Sequence, residues 1–214
     1  MIIITHRTNS LNQLKLNPPK YGCEIDIRNH NKDLILVHDP FDTNGLKIED
    51  WIKHYQHKFI IFNVKEEGLE TKLLKILKRY NIKKYFILDE SIPYIYKYAK
   101  TGFTNFALRV SEFESYKTAI LINRELARNN RIKWIWLDTF SSNPIDKRVY
   151  NQLIKANFKI CFVSPELHQI NNKKIWKELI VNFANKLFKS KINPHMVCTK
   201  LPEYWQVIEK KLKY

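Results

Sequence analysis

Glu24 and Asp26 stand two apart between Ile25 and Ile27, in a stretch, 22–40, that reads GCEIDIRNHNKDLILVHDP. In a β-strand residues i and i+2 share a face, so the two carboxylates project side by side while the isoleucines pack on the other side. Two apolar runs end in histidines. Ile2-Ile3-Ile4 leads into Thr5-His6-Arg7, and the run 34–37 leads into His38-Asp39-Pro40. Histidines and a carboxylate pair at the ends of hydrophobic strands are the parts of a metal-assisted phosphoryl or acyl transfer site.

The rest of the chain supplies elements that would position such a site. Short β-rich apolar runs fall at 2–5, 21–27, 59–64, 85–88, 105–109, 134–138, 159–163 and 195–199, with 34–37 as an extra arm. Their hydrophobicity is mostly continuous, as in strands covered on both faces. Between them run helical stripes: Leu69, Leu73, Ile76, Leu77, Tyr80; then Phe113, Tyr116, Ile120; then Ile175, Leu179, Phe183, Leu187; and last Trp205, Ile208, Leu212. The segment 9–20, with Pro18-Pro19, reads as a loop or one short turn. Eight strands alternating with helices predict a small (β/α)8 TIM barrel, an α/β fold, with a short or missing first helix. The chain reads as one domain over 1–214, with no linker or repeat. An open nucleotide-binding sheet is disfavoured. None of the glycines Gly22, Gly45, Gly68 and Gly102 falls in a phosphate-cradling loop.

A barrel enzyme carries its chemistry at the C-terminal strand ends, and acids and bases collect there. Beyond the residues above they are Asn63-x-Lys65-Glu66, Asp89-Glu90-Ser91, Arg109-x-Ser111-Glu112, Asp138, Glu166-Leu167-His168 and Thr199-Lys200. Net charge adds a partner class. With 37 Lys and Arg against 21 Asp and Glu, the formal charge is +16, which favours anionic partners. No long basic run and no nucleic-acid-binding motif is present, so nucleic acid is not expected. Cys23, Cys161 and Cys198 are widely spaced inside strand-like runs and read as buried, reduced thiols. That and the lack of a secretory signal predict a cytoplasmic protein. No run approaches the ~20 apolar residues of a membrane span. The apolar stripe of the basic C-terminal helix, 202–214, leaves peripheral contact with the inner membrane surface open.

Taken in order, His6-Arg7, Glu24-x-Asp26 and His38-Asp39 resemble the signature of glycerophosphodiester phosphodiesterases, within the phosphatidylinositol-specific phospholipase C-like barrels. Asn63-Val-Lys65, Asp89-Glu90-Ser91-Ile92-Pro93, Arg109-Val-Ser111-Glu112, Trp136-Leu-Asp138, Val163-Ser-Pro-Glu-Leu-His168 and Cys198-Thr-Lys200 are similar to a bacterial subgroup linked to surface polysaccharide genes.

The resemblance implies a metal-dependent phosphodiesterase acting on a small anionic phosphodiester, glycerol-, glycan- or lipid-linked, with cleavage through a cyclic phosphate in view. His6 and His38 would be general base and acid, with Arg7 and Lys65 clamping phosphate oxygens. Glu24, Asp26 and Asn63 would hold Mg²⁺ or Ca²⁺, since oxygen ligands suit hard cations. Asp89, Arg109, Glu166, His168 and Lys200 would contact substrate. Two departures stand out. Asn63 occupies a position where many members carry a third glutamate, and Thr8 follows His6-Arg7 where glycine is usual. The alternatives are a phosphodiester lyase that releases the cyclic product and a weakened barrel that binds anionic glycans or lipid headgroups.

Overall fold

The computed structural model describes residues 1–169 and 171–212. Its elements alternate as expected. The barrel strands are β1 (Ile2–Thr5), β2 (Gly22–His30), β5 (Ile60–Val64), β6 (Tyr85–Leu88), β7 (Ala107–Val110), β8 (Trp134–Leu137), β9 (Lys159–Val163) and β10 (Met196–Thr199). Between β2 and β5 lie β3 (Asp33–Leu36) and β4 (Leu46–Lys47). The helices are α1 (Leu11–Leu16), α2 (Ile48–Ile52), α3 (Glu70–Arg79), α4 (Ile92–Lys100), α5 (Tyr116–Glu125), α6 (Lys147–Lys155), α7 (Trp176–Lys189) and α8 (Pro202–Leu212).

All neighbouring barrel strands pair in parallel, in the order β7-β8-β9-β10-β1-β2-β5-β6. The ring closes between β6 and β7 through one bridge, Ile87 to Phe106, where the Ile87 amide donates to the Asn105 carbonyl at 2.8 Å. That seam is the thinnest join in the cylinder.

Strand parity sorts the side chains into two layers. Ile4, Ile61, Phe86, Leu88, Trp136, Cys161, Met196 and Cys198 fill the lumen. Ile3, Ile25, Ile60, Phe62, Ile135 and Phe162 face the helices. Gly22 is needed in the crowded layer, since a Cβ there would meet the Phe59 carbonyl oxygen at 2.7 Å and also strike Ile4. All three cysteines are buried and free. Among the described residues no helix is long and apolar enough to cross a membrane.

Three local expectations need correcting. The segment 9–20 is not simply a loop: Ser10 and Gln13 form a reciprocal capping box that starts α1. Phe113 does not belong to the fifth helix, which begins at Tyr116 on a Ser115 cap, and its ring is 81% exposed in the loop before it. The helices α2, α4 and α6 come in addition to the stripes read from sequence. In α8, Trp205 and Ile208 pack inward, while the Leu212 side chain and residues 213–214 lie outside the described residues.

Candidate active site

The C-terminal ends of the strands form a polar mouth. On β2, Glu24 and Asp26 project inward and are fully buried, as their spacing requires. Glu24 Oε2 accepts the Arg7 amide at 2.8 Å and lies 3.8 Å from His6 Nε2. Glu24 Oε1 accepts from Asn63 Nδ2 at 2.9 Å. Asp26 sits 3.2 Å from Lys65 Nζ and 3.8 Å from Arg7 Nε. It also takes Asn9 Nδ2 at 2.9 Å, while the Asp26 amide donates to Asn9 Oδ1 at 2.9 Å.

The turn after β1 explains how a non-glycine follows His6-Arg7. Arg7 itself takes the left-handed backbone, φ 53°. Thr8 is buried, donating its amide to the Glu24 carbonyl at 2.8 Å and its hydroxyl to the Thr5 carbonyl at 3.2 Å. No glycine is required at position 8.

His38 reaches the mouth on the β3 arm, which folds back antiparallel on the end of β2. Its Nε2 lies 2.6 Å from an Arg7 guanidinium nitrogen, and its Nδ1 lies 2.7 Å from Asp39. Arg28 clips this arm in place. It donates to the His38 carbonyl at 3.1 and 3.3 Å and to the Lys65 carbonyl at 3.1 Å.

On the far side of the mouth Lys65 continues to Asp89 at 3.7 Å, and Arg109 bonds both Asp89 and Asp138. Asp138 also receives Trp136 Nε1 at 3.1 Å and pairs with His168 Nε2 at 3.0 Å. The His168 ring packs on Phe140 at 4.6 Å. Acids and bases therefore form one chain of contacts across the opening, from His6 to His168.

Burial and neighbouring charge tune these groups. Burial, helped by Arg7, Lys200 and Lys65, pushes the His6 imidazole well below its ordinary pKa. The imidazole is therefore neutral at pH 7, the state a general base needs. Burial beside Asp26 raises the Glu24 carboxyl to about 7, against the pull of the Arg7 amide and Asn63.

The chain's overall likeness to solved structures can now be stated. Two glycerophosphoryl diester phosphodiesterase structures from Agrobacterium tumefaciens str. C58 superpose with TM-scores of 0.71 and 0.68, each at 11% identity. They cover 100% and 98% of this chain and 99% of theirs. A third, from Parabacteroides distasonis, gives 0.64 at 12% identity over 99% of this chain and 86% of that one. The fold is theirs. No protein-family model and no curated protein matches the sequence.

The expected residues occupy three settings within this barrel. His6, Arg7, Glu24, Asp26, His38, Asn63 and Lys65 converge at the end formed by β1, β2 and β5. Asp89, Arg109 and His168 build the opposite wall. Glu166 is buried and ties the tops of β9 and β10, accepting Thr199 Oγ1 at 2.5 Å and the Lys200 amide at 3.0 Å. Lys200 borders His6 closely enough to depress its pKa. Glu66 turns away to the Asn29 amide.

The oxygens of Glu24, Asp26 and Asn63 suit a hard cation. Two buried carboxylates lie side by side, and Asn63 Oδ1 is buried without a hydrogen-bond partner. A divalent ion would satisfy that oxygen and offset the repulsion that lifts Glu24. Among the described residues no set of three His, Cys, Asp or Glu forms a metal cluster, so the fit depends on the Asn63 amide oxygen.

Sequence reasoning missed Arg28 and Asn9. Arg28 was within reach, because it continues the Glu24-x-Asp26 parity by one more step on the same face. Asn9 carries no comparable signal, since only the folded turn brings it against Asp26.

Proposed function

We propose that this chain is a phosphodiesterase that cleaves a glycerophosphodiester-like or glycan-linked phosphodiester, with His6 and His38 as base and acid. The observation that carries this reading is the convergence of His6, Arg7, Glu24 and His38, with His6 Nε2 3.8 Å from Glu24 and Arg7 2.6 Å from His38. The three neighbours of the same fold are phosphodiesterases by name. The later strand-end residues, Asp89 to Pro93 and Val163 to His168 among them, favour the subgroup linked to surface polysaccharides.

Glu24, Asp26 and Asn63 would hold Mg²⁺ or Ca²⁺, which supplies charge to the non-bridging phosphate oxygens as the transition state forms. Neutral His6 accepts the proton of the attacking hydroxyl, whether the substrate's own neighbouring hydroxyl or water. Arg7 grips two phosphate oxygens through its planar fork, and Lys65 adds a point charge. His38 delivers a proton from Nε2 to the departing alkoxide. Arg109 and His168, on the far wall, face the alcohol that carries specificity.

The test is turnover of bis(p-nitrophenyl) phosphate by wild type and by His6→Ala, with Mg²⁺, Ca²⁺ or EDTA. Activity that requires His6 and a divalent ion is the expected result. Equal rates for the two proteins would overturn the assignment. Phosphorus NMR of a glycerophosphodiester reaction then separates a hydrolase from a lyase that stops at the cyclic product.

A weakened, binding-only barrel has one observation in its favour. Asn63 spends its amide donor on Glu24 and brings no charge to the cation. Tight binding of a phosphodiester with no turnover under any cation would select that reading.

A further inference from the structure

The short first helix leaves a gap. With six residues α1 spans roughly 9 Å, little more than half the length of the eleven-residue α8, which packs on β1. A crevice of about 560 Å³ opens there between α1 and α8, and His6 and Arg7 form part of its wall. That volume is within the range of small-molecule sites.

Its chemistry is two-sided. The outer wall is apolar, with Leu16 from α1, Leu201 just before α8, and Pro202 and Val207 from α8. Leu16 is 77% exposed and Val207 48%, and neither packs on the core. Lys177, over the Tyr204 ring, and Lys200, close enough to His6 to act on its pKa, also line the crevice, with Glu203 the one acid among the lining residues. Among the described residues neither lysine forms a salt bridge; Lys200 and its neighbour Lys173 instead lie over the Trp176 ring at 5.7 and 5.9 Å. Burial depresses the Lys200 pKa, with the nearby Arg7 and Lys173 adding to it and Glu166 opposing them. An unbalanced cationic neck leading to an exposed apolar trough fits an anionic head that carries a hydrocarbon chain.

We infer that this crevice seats the apolar chain of one of the two alcohols on the phosphate, the other facing Arg109 and His168, so that the phosphodiester cleaved is a single-chain amphiphile. The phosphate lies at His6 and Arg7, Lys177 and Lys200 flank the neck, and the chain runs between Leu16 and Val207. The inference rests on the phosphodiesterase reading above and names its substrate class.

Binding can be tested apart from turnover. Ethyl, octyl and decyl phosphodiesters of glycerol, each below its micelle concentration, would be titrated calorimetrically into the His6→Ala protein. A farnesyl phosphodiester added to the series separates an acyl-type chain from a prenyl one. Affinity should rise with chain length, by about fourfold for each methylene fully buried. Leu16→Gln with Val207→Gln should weaken decyl binding at least tenfold and leave ethyl binding unchanged. Both positions are solvent-exposed, and an unchanged thermal melt confirms the fold. Equal affinity for ethyl and decyl ligands, or a double variant that binds decyl as wild type does, overturns the inference. If wild type turns over bis(p-nitrophenyl) phosphate in either of those cases, the crevice assignment alone fails. If it turns over no phosphodiester and binds none, the enzymatic reading fails with it.

Discussion

The guanidinium of Arg7 donates to Nε2 of His38 across 2.6 Å. Arginine can only donate, so Nε2 accepts and the ring proton sits on Nδ1, facing Asp39 at 2.7 Å. The hydrogen bond from His38 holds the Asp39 carboxyl below the usual carboxylate range. In this resting arrangement His38 has no proton to give at Nε2. In the mechanism proposed above, a phosphate that draws Arg7 onto its own oxygens would free Nε2 for protonation, linking substrate binding to arming of the acid.

His38→Ala should therefore cost rate according to the leaving group. For a glycerol or alkyl leaving group kcat should fall by about 10²- to 10⁴-fold. For p-nitrophenolate, which departs without a proton, the loss should stay within a few fold. Steady-state kinetics on the two substrate types checks this, and equal losses would remove His38 from the acid role.

Arg28 acts only through the residues it holds. Arg28→Met should lower kcat while leaving KM for a small phosphodiester nearly unchanged, because the His38 arm and the Lys65 backbone lose their shared clip. The drop should be largest with alkyl leaving groups and small with p-nitrophenolate, as for His38→Ala. A rise in KM alone would argue for direct substrate contact instead.

In the mechanism proposed above, the buried His6 sets the acid limb of the pH profile. Its pKa lies well below the ordinary value, so the base stays neutral as pH falls through 6.5. The limb of kcat/KM assigned to His6 should consequently appear well below pH 6.5, and Lys200→Ala should move it upward by removing one of the charges that depress it. The sign for stability is the same. The unfolded imidazole binds a proton before the folded one does, so His6 costs stability as pH drops below 6.5.

Glu90 gives an opposite dependence. It is buried beside Glu70, and burial together with that neighbour raises its carboxyl to about 9. The folded state keeps a proton that the unfolded chain releases near the ordinary carboxylate pKa. Stability that is present below that range is lost as pH climbs toward 9. Glu90→Gln should raise the thermal midpoint at pH 8 and flatten its fall between pH 5 and 9, as read by circular dichroism melts.

Asn63→Glu would supply the third carboxylate. Without a cation it places a further negative charge beside Glu24 and Asp26 and removes the amide donor that Glu24 accepts at 2.9 Å. The variant should melt lower than wild type in EDTA and gain more from Mg²⁺ or Ca²⁺. Calorimetric titration should show tighter cation binding.

The parts of the molecule legible in sequence are those governed by strand parity and by runs of apolar residues. The barrel strands were readable because each is buried on both faces, and their observed ends differ from the expected ones by at most three residues, the most at the end of β2. Glu24 and Asp26 announced their shared face by spacing alone. The α1 helix was obscured by Pro18-Pro19, although Ser10 and Gln13 carry its capping signal. Sequence reasoning missed the α4 helix although it carries local signals: Ser91 at the N-cap position, Pro93 in the first turn, and Ile95 and Ala99 four apart on the buried face. Contacts between strand ends, such as Lys65 to Asp26 or His168 to Asp138, join elements far apart in the chain and leave no mark in local pattern.

The single bridge between Ile87 and Phe106 has a bearing on how this cylinder yields. Elsewhere the staves are laced over two to five residue pairs; here one lace, with the Arg109–Asp89 ion pair above it, holds the hoop shut. An anion that competes for Arg109 unties the upper knot. The join between β6 and β7 is thus where the wall has least to hold it, on the side of the mouth lined by Asp89 and Arg109.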